Sequence, residues 1–224
     1  MSPTIPFIPT VACDIDGTLT DGSTWNGMRQ YLITHGRKLA VRLFDLRNLH
    51  RLLAYKLGLT NSPAFKENLV ARFLHLFKGF TVQEFHNMTV WIVEHELVPR
   101  CRAVVLAELQ QFRAKGYRVL VLSGLFDPLP QVLAQRLELS HGLGTPMLVE
   151  NNIVMGHTSV PFNVGPRKAA QLAPYAHNGF IHTAYGDSRR DIHMLEISHH
   201  PVAVNPDVEL RQAAKTRGWR ILEA

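Results

Sequence analysis

Asp14 and Asp16 stand two residues apart where an apolar run, Phe7-Ile8 and then Val11-Ala12-Cys13, gives way to Gly17-Thr18. Two carboxylates at that spacing can divide labour: one attacks or holds a metal, the other moves protons. Burying either without a partner would be costly. They are therefore expected to emerge at the C-terminal end of a strand, where open α/β sheets bind ligands. A solvated Asp-x-Asp-Gly turn is the plain alternative. Further polar groups follow apolar runs later in the chain. Ser123-Gly124 comes after Val119–Leu122, and Gly186-Asp187-Ser188-Arg189-Arg190-Asp191 comes after Phe180–Tyr185. Between them lies Lys168, at the helix start Gly165-Pro166-Arg167-Lys168. A cation there opposes the helix dipole, which points to an anionic neighbour; a surface lysine is the other reading. Asp187 could be an ordinary N-cap, and Asp191 a solvated first-turn acid. The 12 histidines are scattered and the 2 cysteines lack ligand spacing, so no zinc site is read.

The elements that would position these groups follow from periodicity. The first apolar run reads as a buried strand. Helical patterns then cover Asn26–His35, closed by Gly36, and Leu39–Leu57, closed by Gly58. They continue over Pro63–Phe77, stopped by Gly79, and from the capping box Thr81-Val82-Gln83-Glu84 to Leu97, ended by Pro99. Leu39, Leu43, Leu46, Leu49, Leu53 and Leu57 form one stripe, read as part of the core of this helical bundle.

From Cys101 the pattern changes. A helix to Lys115 precedes a strand, Tyr117–Leu122, running into the small-residue turn Ser123-Gly124. Helix Pro128–Leu137 follows, then a hairpin of Met147–Glu150 and Ile153–Met155 about Asn151-Asn152. A helix carrying Lys168, strand Phe180–Tyr185, helix Arg190–Ile197, strand Pro201–Val204, a helix from Asn205-Pro206 to Lys215 and strand Trp219–Leu222 complete the chain. Alternating strands and helices predict an α/β class: a Rossmann-like parallel sheet with helices on both faces. The four-helix insertion predicts a cap over residues 23–98, with a core of residues 1–22 and 99–224.

Bulk properties agree with one good core. The chain has 224 residues, 46% hydrophobic. No run is long and apolar enough to span a membrane, no signal segment is evident, and the two cysteines read as reduced thiols. The expected location is the cytoplasm, with peripheral membrane association as an option. The net charge of +6 is uneven: residues 25–98 carry 10 Lys and Arg against 5 Asp and Glu. That surplus favours anionic partners, such as phosphorylated substrates or an anionic membrane surface; a solvated helical face is the alternative. Nucleic acid is not expected as a partner, and oligomeric state is not read.

Taken in order, the four groups resemble the motifs of the haloacid dehalogenase (HAD) superfamily. Asp14-Ile15-Asp16-Gly17-Thr18 is similar to motif I, Ser123 to motif II, Lys168 to motif III and Gly186–Asp191 to motif IV. The helical insertion after motif I lies where a C1 cap belongs. The resemblance spans the chain and implies a phosphoserine-phosphatase-like phosphatase.

The resemblance also implies roles. Mg²⁺ would be held by the side chains of Asp14 and Asp187 and the backbone carbonyl of Asp16, with Asp191 behind them holding a metal-bound water or orienting Lys168. Asp14 would form an aspartyl-phosphate, and Asp16 would serve as acid and then base. Ser123, the Gly124 N–H and Lys168 would bind phosphate oxygens, and Thr18 would fix the Asp16 turn or join that set. Asp16 favours a phosphatase over a dehalogenase, which lacks an acid at that position.

One departure stands out. Phosphoserine phosphatases carry a Glu nine residues past the nucleophile, and here that residue is Ser23. That puts phosphoserine in doubt, and the basic, apolar helices of residues 25–98 make an anionic small-molecule or phospholipid head-group phosphate the expected substrate. Phosphoserine hydrolysis, phosphoryl transfer to an alcohol and a non-catalytic binding module remain as alternatives.

Overall fold

The computed structural model describes residues 8–57 and 63–224. The expectations for Met1–Pro6, for Phe7 and for Gly58 as a helix stop lie outside the described residues. Strand β1 (Thr10–Asp14) is buried throughout and leads into a helical segment: α1 (Thr24–Thr34), α2 (Lys38–Lys56), α3 (Pro63–Leu74) and α4 (Val82–Ile92). The chain then alternates through α5 (Ala103–Ala114), β2 (Arg118–Phe126), α6 (Leu129–Arg136) and β3 (His141–Thr145). A hairpin of β4 (Met147–Glu150) and β5 (Ile153–Thr158) precedes α7 (Pro166–Gln171) and β6 (Ile181–Gly186). The last elements are α8 (Ile192–Glu196), β7 (Ser198–Val204), α9 (Val208–Arg217) and β8 (Arg220–Leu222).

Six strands form one sheet in the order β3-β2-β1-β6-β7-β8, and every pairing is parallel. This is the Rossmann-like α/β arrangement. The order reverses between β1 and β6, the topological switch point at which such sheets bind ligands. Alternate residues of β1 feed the two faces. Val11 and Cys13 join the cluster containing Val105 and Leu109 of α5 and Leu129 and Leu133 of α6. Ala12 joins the cluster of Leu172, Met194, Leu195, Leu210 and Ala214 on the other face.

Most predicted boundaries fall within two or three residues of the observed ones, and three readings change. First, β3 was not expected. Its sequence, His-Gly-Leu-Gly-Thr, carries two glycines that weaken the strand signal, and at the first α6 crosses close: a Cβ on Gly142 would lie 2.0 Å from the Pro130 carbonyl carbon. Second, β2 does not stop before a turn at Ser123-Gly124. It runs on to Phe126, with its register against β3 shifting between Leu122 and Phe126.

Third, the leucine stripe of α2 is not bundle core. Leu39, Leu43, Leu46, Leu49, Leu53 and Leu57 are 43 to 71% exposed. The helix instead buries Val41, Phe44 and Asn48. The core of the segment is aromatic: Phe73 meets Trp25, Phe44 and Phe77 at ring-centroid distances of 4.6, 5.0 and 6.2 Å. Phe85 carries that packing to Phe126 of β2, with ring centroids 5.0 Å apart. Other local expectations hold. Thr81 and Glu84 close a capping box on α4, and Asn151 and Asn152 take φ of 48° and 64° in the β4–β5 turn.

Candidate active site

The side chain of Asp14 ends β1 at the switch point. Beyond it the chain folds back tightly: the Gly17 N–H donates to the Thr20 carbonyl at 2.8 Å and the Leu19 N–H to the Asp14 carbonyl at 3.2 Å. Gly17 has φ +90°, and a Cβ there would stand 2.3 Å from Asp187 Oδ2. Only glycine combines that backbone with so close a carboxylate. The turn aims Asp16 at the start of α1. There the Thr24 N–H and hydroxyl both donate to Asp16 Oδ1, at 2.6 and 2.9 Å.

Lys168 is not a surface residue. It enters from the short helix α7, after Gly165 at φ +58°, and is only 3% exposed. Its ammonium bonds Asp14 Oδ1 and lies 2.6 Å from Asp191 Oδ1. The second oxygen of Asp191 accepts the N–H groups of Asp187 and Ser188, each at 3.3 Å. Asp191 is thus neither solvated nor idle; it orients Lys168 and braces the loop that presents Asp187. Ser188, not Asp187, is the N-cap of the turn that follows.

Ser123 Oγ accepts the Leu125 N–H at 3.0 Å, which leaves its proton to be donated. A Cβ on Gly124 would meet Val164 Cγ1 at 2.7 Å, so its backbone reaches the cavity only as glycine. The buried hydroxyl of Thr18 is 3.2 Å from Asp14 Oδ2 and 3.4 Å from Asp187 Oδ1. It therefore braces two carboxylates, and its contact with Asp14 spans the turn that carries Asp16.

Charge is out of balance at this sheet edge. Burial raises the Asp14 carboxyl to about 7 despite Lys168, with Asp191 pushing the same way. Burial, then the charges of Asp14 and Asp191, raises Asp187 to about 8. Burial also raises Asp16, against the two Thr24 bonds that favour its ionised form. For Lys168, burial would lower the value, but Asp14 and Asp191 outweigh it and hold the ammonium charged. One ammonium thus faces several desolvated carboxylates. Among the described residues, Asp14, Asp187 and Asp191 form a group whose oxygens lie within 4.8 Å of one another. A hard divalent cation with oxygen ligands suits that donor set and corrects the imbalance.

A cavity of about 620 Å³ opens over the cluster. Asp14, Asp16, Ser123, Gly124, Lys168 and Asp191 line its floor. Trp25, Phe65, Leu69 and Val70 of the helical segment, and Leu125, Phe162 and Val164 of the sheet side, make its walls apolar. Glu67, Ser23, Ser188 and Arg190 supply its other polar lining. Among the described residues 25–98, none lining the cavity is basic. Sequence reasoning missed Thr24, Glu67 and the apolar walls. A threonine eight residues past an acid carries no spacing signal, and a lone glutamate on α3 carries none either.

A family model described as haloacid dehalogenase-like hydrolase matches residues 11–196. A histidinol-phosphatase of Neisseria meningitidis is 28% identical over 228 residues, covering 93% of this chain and 96% of that protein. A phosphoserine phosphatase of Mycobacterium tuberculosis is 28% identical over 228 residues, covering 98% of this chain and 72% of that protein. Among solved structures, a protein of unknown function from Bordetella pertussis superposes with a TM-score of 0.78 at 18% identity, over 96% of this chain and 99% of that one.

Proposed function

Because the chain belongs to the haloacid dehalogenase-like hydrolase family and is a phosphoric monoester hydrolase of the phosphoserine-phosphatase-like type, we propose that it cleaves a small-molecule phosphate ester through an aspartyl-phosphate on Asp14. The observation that carries this reading is the meeting of Asp14, Asp16, Ser123 and Lys168 on the floor of one cavity. In the first step a carboxylate oxygen of Asp14 bonds to phosphorus and the bond to the leaving alcohol oxygen breaks. Asp16 gives that oxygen a proton, a task its burial-raised pKa suits. In the second step Asp16 takes a proton from a water that attacks the same phosphorus, which returns Asp14 as a carboxylate and releases phosphate. Ser123 Oγ, the Gly124 N–H and Lys168 Nζ hold the phosphoryl oxygens as charge redistributes.

Asp14, Asp187 and the Asp16 carbonyl would hold Mg²⁺. When bound, the ion neutralises phosphate charge so that an anionic nucleophile can approach. Asp191 keeps Lys168 in place, and Thr18 keeps Asp14 beside Asp187. In this reading residues 23–98 are a cap closing over the leaving group, and residues 1–22 with 99–224 are the core. A cytoplasmic setting is in keeping with two unpaired thiols.

The cavity bears on the substrate. Among the described residues 25–98 no basic side chain lines it, so they offer no reason for an anionic leaving group. Its walls favour an apolar alcohol, and Glu67 favours a cationic group on it. We therefore assign an amino-alcohol phosphate, the class that the names of the two phosphatase relatives also suggest.

The test is phosphate release with Mg²⁺ from para-nitrophenyl phosphate and from histidinol phosphate, phosphoserine and glycerol phosphate. Turnover lost in Asp14→Asn supports the chemistry, and none with any ester or metal would sink it. For the substrate, Glu67→Gln should lower kcat/KM about tenfold or more for amine-bearing esters while sparing para-nitrophenyl phosphate. Equal losses on both would remove Glu67 from recognition.

A further inference from the structure

Helix α2 is apolar on two sides. Val41 and Phe44 pack inward. Five exposed leucines of the helix, with Leu57 just past its end, lie on an outward arc of about 120° at 3.6 residues per turn. A helix with a second apolar face looks for a second apolar phase, because a contiguous exposed apolar ridge marks an interaction site. The ridge carries flanking charge of one sign. Lys38 and Arg42 lie toward one edge, and Arg47 and Arg51 toward the other. The single acid of α2, Asp45, is tied to Arg29 at 2.7 Å.

We propose that α2 is an interfacial helix, seating its leucine ridge in the head-group region of an anionic lipid surface. Leucines enter the acyl boundary while arginine and lysine stems snorkel to lipid phosphates. A second copy of this chain fits the ridge poorly. A two-fold contact would bring the same basic edges together with no free acid on the helix to meet them. Phe65 and Leu69 line both the catalytic cavity and a groove of about 270 Å³ that His50 and Arg51 border, so the docked face adjoins the cavity wall. The surface acts independently of the chemistry, and its test needs no turnover.

The experiment is co-sedimentation of the full chain with phosphatidylcholine vesicles, with and without phosphatidylglycerol, alongside Leu46→Ser/Leu53→Ser and Arg42→Glu/Arg47→Glu. Circular dichroism melts report whether each variant is folded. The expected result is binding to the anionic vesicles that weakens with salt and falls at least about tenfold in both folded variants. Equal binding by wild type and variants overturns the proposal. So does failure of the wild type to bind either vesicle. So does a wild type that is dimeric in light scattering, ignores vesicles and turns monomeric in the leucine variant, which assigns the ridge to a second copy.

Discussion

The backbone N–H and the hydroxyl of Thr24 both donate to Asp16 Oδ1, at 2.6 and 2.9 Å. The first residue of the helical segment thereby fixes the orientation of the residue assigned as acid and base. In Thr24→Val the backbone bond stays and the hydroxyl bond goes. Because both bonds favour the ionised carboxylate, the Asp16 pKa rises. The limb of the rate profile that needs ionised Asp16 should move to higher pH, and kcat should fall about threefold to thirtyfold. A pH–rate series on wild type and variant reads both; an unmoved profile would detach Thr24 from the chemistry.

Lys168→Met removes the ammonium that Asp14 and Asp191 share. Unfolding experiments should show a loss of about 3–5 kcal/mol, the cost of stranding buried charge. Added Mg²⁺ should restore part of it by supplying positive charge at the same carboxylates. Turnover should fall about a hundredfold or more. A variant as stable as wild type without metal would contradict the charge imbalance at this sheet edge.

Gly17→Ala sets a methyl group against Asp187 at a backbone angle that L-residues avoid. Phosphatase activity should drop about tenfold or more while the sheet survives, since the turn lies beyond the end of β1. Comparing kcat with the thermal melt separates this outcome from general unfolding.

The two apolar faces of α2 should respond differently to mutation. Leu46→Ser on the exposed ridge should change stability by no more than about 0.5 kcal/mol. Phe44→Ala, on the inward face that packs against Phe73, should cost about 3–5 kcal/mol. Denaturant titrations of the pair decide whether the leucines are outside the core; a large loss in Leu46→Ser would return them to it.

The candidate site was legible in sequence because its residues are tied to strand ends. Asp14, Ser123 and Asp187 each follow an apolar run, and a parallel sheet brings such ends to one edge. Lys168 was legible through its unfavourable place at a helix start, which its two carboxylate partners now explain. The leucine stripe was misread because periodicity finds an apolar face without saying what covers it. Strand β3 escaped because its two glycines stand where a strand signal needs bulk. The bonds of Thr24 to Asp16 and the place of Glu67 on the cavity wall arise across the fold, which spacing along one chain does not encode.

Asp14 is the residue proposed to carry the phosphoryl group. Rapid-quench mass spectrometry of the full chain mixed with a phosphate ester and Mg²⁺ tests it most directly. One transient phosphoryl adduct is expected on the peptide containing Asp14, absent in Asp14→Asn. An adduct on another residue, or phosphate release that persists in Asp14→Asn, would contradict it.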